Sequence, residues 1–95
     1  MYKIYVTFEC VQGKREEFVK RVRSEGILDA VLAEDGCYRY DYFFCEKDPN
    51  LLLLIEEWES KEHQQIHIGL PHMDQLRTFE KDYIKSATLG EFELK

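Results

Sequence analysis

The residues with the most chemical capacity fall in one stretch, Glu56 to Met73 (EEWESKEHQQIHIGLPHM), which holds the only Trp and all three His of the chain. Imidazole exchanges protons near neutral pH and ligates metals, so histidines crowded beside carboxylates point to proton transfer or to a metal. Read as a helix from about Ser60, the stretch sets His63, Ile66, His67 and Leu70 at i, i+3, i+4 and i+7, turning two imidazoles into an apolar stripe. A second helix opening at Pro71 aligns His72, Leu76, Phe79 and Tyr83. All three histidines are then expected to line one cavity.

The metal reading is the weaker of the two. His63 and His67 match the helical half of an HExxH site, but Gln64 stands where that site needs Glu, and no third ligand is evident. Glu56, Glu57, Glu59 and Glu62 are rich in carboxylates, yet strand alternation splits them between faces, and a solvated edge is expected for them. No metal is therefore assigned. Cys10, Cys37 and Cys45 are odd in number and form no CxxC pair, so they read as reduced, packing thiols.

The elements that must position these residues follow from periodicity. Residues 2 to 11 alternate Tyr2, Ile4, Val6, Phe8 and Cys10 with polar positions, the signature of a half-buried strand. From Lys14, Phe18, Val19 and Val22 mark an amphipathic helix; Gly26 interrupts it, Ile27, Leu28, Val31 and Leu32 resume out of phase, and Gly36 closes the segment. Cys37 to Glu46 reads as a strand with Tyr38, Tyr40, Tyr42 and Phe44 on its core face. The Asp48-Pro49-Asn50 turn leads to a third strand, Leu51 to Glu59, whose first half is apolar on both faces. Helices from Ser60 to about Ile68 and from Pro71 to about Lys85 follow, then a fourth strand from Ala87 to Lys95 in which Phe92 and Leu94 alternate with charges. That order predicts an α+β, ferredoxin-like βαββαβ domain over residues 1–95, an antiparallel four-stranded sheet with helices on one face and the other bare. A third strand apolar on both sides asks for cover that a chain of 95 residues lacks, so a homodimer through the sheet face is expected.

With 44% hydrophobic and 34% charged residues the composition is that of an ordinary globular protein. A formal charge of −6 disfavours nucleic acid and anionic lipid as partners. The opening MYKIYVTFEC lacks the apolar run of a signal peptide or membrane span, so a cytoplasmic location is expected.

Several local features together resemble the antibiotic-biosynthesis monooxygenase (ABM) domain family, in particular its small stand-alone quinol-monooxygenase-like members. They are the run Glu34-Asp35-Gly36-Cys37-Tyr38-Arg39-Tyr40-Asp41, the Asp48-Pro49 turn, Glu57-Trp58-Glu59, and His63, His67 and Pro71-His72-Met73. The resemblance implies a dimeric α/β barrel and, between sheet and helices, a pocket that oxidises a small phenol or quinol with O2 and without flavin, metal or haem. The protein would then supply a base, an aromatic clamp and exclusion of water. His67 and His72 are the candidates for base and orienter, with Trp58, Tyr40, His63, Leu76, Phe79 and Tyr83 as the substrate-binding wall. Haem-degrading relatives use an asparagine in the first strand, whereas the only Asn here is Asn50 in the hairpin turn. Relatives that isomerise phosphorylated sugars need a cation, for which Arg39 is the candidate. A dimeric ligand-binding or stress protein without turnover is the competing class.

Overall fold

The computed structural model of the protein describes residues 1–92; Leu94 and the end of the expected fourth strand lie outside the described residues. The elements are β1 (Tyr2–Cys10), α1 (Arg15–Ser24), α2 (Ile27–Leu32), β2 (Cys37–Phe44), β3 (Leu51–Trp58), α3 (Lys61–Ile68), α4 (Pro71–Glu80) and β4 (Ile84–Glu91). Each expected helical crossover is thus a pair of helices. Gly26, at φ 77°, occupies the left-handed region between α1 and α2, where a residue without Cβ avoids strain.

The strands form one sheet in the order β2-β3-β1-β4, with β1 antiparallel to both β3 and β4 and β2 antiparallel to β3. This is the ferredoxin-like arrangement. Period-2 alternation delivers Ile4, Val6 and Phe8 from β1 and Leu52, Leu54 and Trp58 from β3 to the helical side, where they meet Phe18, Val31, Leu76 and Phe79. The opposite side of the sheet carries Tyr5, Phe43, Leu51, Leu53 and Ile55, with the charges of Lys3, Arg39, Asp41 and Glu57 around them.

Two local departures from period and propensity matter. A bulge between Cys37 and Arg39 turns Cys37 against the core, while Tyr38 stands 58% exposed. Only Tyr40 and Tyr42 of the expected tyrosine face therefore reach the interior. A bulge adds one residue to one strand and so inverts the parity upstream of it. At the other end, α4 stops at Glu80 and not near Lys85, because the backbone closes turns from Phe79 to Asp82 and from Glu80 to Tyr83. Ile84 then enters the core opposite Cys10 as the first residue of β4.

Arg15 stitches the β2–β3 hairpin to α1. Its Nη1 donates to the carbonyls of Asp48 at 2.9 Å, Cys45 at 3.0 Å and Leu51 at 3.3 Å, and its guanidinium lies over the Phe44 ring. Asn50 is also structural: its carbonyl accepts from Cys10 N and its side chain from Gly13 N.

Candidate active site

Three segments meet where α3 hands over to α4. Ser60 opens α3 as its N-cap, accepting from His63 N, and the helix places His67 in its last turn. Gly69 and an extended Leu70 then turn the chain, and Pro71 starts α4 with its ring at a position where no amide hydrogen is needed. His72 follows at once, so the corner sets two imidazoles side by side. The third segment is the α2–β2 loop, pinned to the end of β3 by Glu59 N donating to Gly36 O at 2.8 Å. That tie carries Glu34 beneath the histidines.

One carboxylate oxygen serves both rings: Glu34 Oε2 lies 2.8 Å from His67 Nδ1 and 2.7 Å from His72 Nε2. A carboxylate is acceptor only, so both nitrogens carry the proton and donate. His67 is 2% exposed, with the Trp58 ring stacked 4.7 Å away at 38° and the Tyr40 ring edge-on at 5.6 Å. Burial pushes its imidazole below the ordinary value, with Glu34 opposing, and this favours the neutral ring. No side-chain nitrogen or oxygen buried among the described residues lacks a hydrogen-bond partner. While Nδ1 is held by Glu34, the His67 ring also lines a cavity.

That cavity, about 290 Å³, lies between sheet and helices, with Val6, Leu54, Met73 and Leu76 among its apolar walls and Arg77 at its rim. Glu56 also lines it. Glu56 is 4% exposed, accepts from Trp58 Nε1 at 2.9 Å, and has its carboxyl pushed up to about 7, chiefly by burial. The cavity is therefore lined by an imidazole and by a carboxyl poised between its two charge states. A larger groove of about 600 Å³ beside α1 and β2 is walled by Glu16, Lys20, Arg23 and Asp41 and offers no buried acid or base pair.

The expected site residues separate. Tyr40, His67 and Leu76 line the cavity. Trp58 is absent from the cavity lining and packs on His67, so with Tyr40 it fixes the imidazole ring. His72 is outside the cavity wall and reaches His67 only through Glu34. Phe79 packs edge-on to Phe18 in the core, and Tyr83, past the end of α4, contacts Phe79 and Arg21. His63 does not join the other two: it faces outward, with Ser60, Glu59 and Asp35 around its ring. The expected phase of α3 is rotated, since Gln64 is buried and Ile66 is 64% exposed. The reason is the bond from Ser60 Oγ to His63, which holds the first turn outward. Arg39 lies on the other side of the sheet, paired with Asp41 and Glu57, and offers no cation to a phosphate in the cavity.

Two site residues escape the sequence reading. Glu56 had a signal, because it shares parity with Leu52, Leu54 and Trp58. Glu34 had none in any periodicity, since a loop places it.

A four-stranded ferredoxin-like sheet with paired helices on one side defines the class of the protein. The model of the family described as "Antibiotic biosynthesis monooxygenase" matches residues 1–78, and the chain belongs to that family. It is 34% identical over 55 residues to "Probable quinol monooxygenase YgiN" of Escherichia coli K12, a match covering 50% of this chain and 53% of the relative. The chain thus spans about half the length of the curated relatives it matches. Among solved structures, PA3566 from Pseudomonas aeruginosa superposes with a TM-score of 0.85 at 18% identity, covering 99% of this chain and 93% of that one. A structure described as an antibiotic biosynthesis monooxygenase gives 0.84 at 21% identity, covering 100% and 99%. At these identities the two structures speak for the fold alone.

Proposed function

We propose that the protein is a cofactor-independent monooxygenase of a small phenolic or quinol-type aromatic, working in the cytoplasm as a homodimer joined through the open sheet face. The observation that supports this reading is His67: its Nδ1 is held by the carboxylate of Glu34 while its ring lines a cavity between sheet and helices, which leaves Nε2 for the substrate. Nε2 takes the proton of a substrate hydroxyl, and Glu34 stabilises the imidazolium that forms. The resulting phenolate gives one electron to O2, and the phenoxyl radical, through its spin density at a ring carbon, combines there with superoxide to give a hydroperoxide once a proton returns from the imidazolium. Loss of water from that hydroperoxide leaves one oxygen atom on the ring as a quinone carbonyl. A hydroquinone plus O2 thus becomes a hydroxyquinone plus water. Glu56, when protonated, donates to the second substrate oxygen or to the leaving hydroxide. The quinol-type substrate is also what the printed name of the Escherichia coli relative suggests.

The test is O2 consumption with menadiol-like hydroquinones and dithranol-like phenols. Wild type is expected to exceed the uncatalysed rate, and His67→Ala to lose about 10²–10⁴ of that gain. His72→Ala, which removes an outer partner of Glu34, is expected to lose less. If wild type does not exceed the uncatalysed rate, the monooxygenase reading fails for these substrates and the competing one, a ligand-binding protein without turnover, gains.

A further inference from the structure

Three metal-ligating atoms converge at the Nδ1 edge of His67. Glu34, His67 and His72 each offer one, all within 4.8 Å of one another. They come from the α2–β2 loop, the last turn of α3 and the first turn of α4. Two imidazoles and a carboxylate are the borderline donor set that holds zinc with a fourth position left open. The set is organised in advance: the Trp58 and Tyr40 rings flank His67, and the Glu34 side chain is 7% exposed. His72, whose side chain is 19% exposed, is the adjustable member. With zinc bonds of about 2.0–2.2 Å, tetrahedral neighbours stand roughly 3.3 Å apart, so the Glu34–imidazole distances of 2.8 and 2.7 Å open by about half an ångström while the two imidazole nitrogens, within 4.8 Å of each other, close toward the same spacing. A surface hollow of about 230 Å³, lined by Glu34, Asp35 and His63, gives an ion an acidic approach from outside.

We infer that Glu34, His67 and His72 form a binding site for a zinc-class divalent cation beside the cavity. This is not the His63–His67 pair suggested by spacing: the third ligand comes from a distant loop, and His63 points elsewhere. The site has a consequence that rests on His67 being the base. A cation on Nδ1 forces the single proton of a neutral imidazole onto Nε2, converting the acceptor left for the substrate into a donor. The ion silences the base and takes no part in the oxidation.

The experiment titrates Zn²⁺ into the chelator-stripped protein by calorimetry and records long-range ¹H–¹⁵N histidine spectra with and without the ion. One Zn²⁺ per chain is expected, with His67 passing from the Nδ1–H to the Nε2–H tautomer. Glu34→Gln and His72→Ala should each weaken binding by at least the roughly 10–100-fold that loss of an outer partner of a metal site costs. His63→Ala should not. His72 is only half-buried, so its variant keeps the test sound if Glu34→Gln misfolds. Undiminished affinity in a folded Glu34→Gln or His72→Ala variant, or an unchanged His67 tautomer, overturns the site. Equal loss in His63→Ala also overturns it, placing the ion among Asp35, Glu59 and His63. Affinity and tautomer are read without substrate, so this result and that of the O2 assay stand apart.

Discussion

Glu56 and His67 share one cavity and respond to burial in opposite directions on the pH scale, though both are driven toward neutrality. For Glu56, the folded carboxyl titrates at about 7 against its usual 4.5. A raised value means that its contribution to folding is fully present below pH 4.5 and is lost as pH rises through 7, a swing of about 3 kcal/mol. Glu56→Gln, which keeps an acceptor for Trp58, is therefore expected to raise Tm over wild type at pH 8.5 and to leave it unchanged near pH 4; an equal gain at both would refute this. For His67 the value is lowered, so its contribution is present above about 6.5 and is lost as pH falls further. Its turnover limb should lie below pH 6.5. Glu34→Gln removes the charge that opposes burial, so the limb should move further toward acid while kcat drops, as a pH–rate series would show. At this scale the inward turn of His67 was legible from helical spacing, whereas Glu56, expected on a solvated edge, is buried as its strand parity with Leu52 and Leu54 required. Glu34 was not legible, because a loop residue acquires its neighbours only when distant elements pack.

Secondary structure repeats that lesson at the next scale. Strand parity read β1 and β3 correctly because both are unbroken, but the bulge after Cys37 inverts one end of β2, and no residue type announces it. The helix pairs were legible from Gly26 and from Gly69-Leu70-Pro71. The phase of α3 was not, because the Ser60 hydroxyl overrides the preference of Ile66 for the interior. The hairpin depends on Arg15, whose guanidinium satisfies three carbonyls at once. Arg15→Ala should cost about 1–3 kcal/mol, measured by chemical denaturation, since three hairpin carbonyls lose a charged donor. Arg15→Lys, with one point donor, should recover only part of that.

For the molecule as a whole, the helices cover one side of the sheet, and the proposed homodimer would cover the other. Leu51, Leu53 and Ile55 lie mid-sheet on the open side, ringed by charges. Light scattering is expected to give twice the 11.4 kDa of the chain, and Ile55→Glu to halve that mass, because a desolvated carboxylate on each subunit would face its copy. A wild-type monomer at micromolar concentration would refute the assembly. The topology was legible whole, since four alternating strands and two helical crossovers leave few ways to wind, whereas cavity shape depends on side-chain volumes that no pattern encodes. Trp58 is the only indole in the chain, stacked on His67 and bonded to Glu56. A charged imidazole quenches a neighbouring indole by accepting its excited electron, so the emission of the unlabelled protein is a built-in optical gauge of proton occupancy beside the cavity.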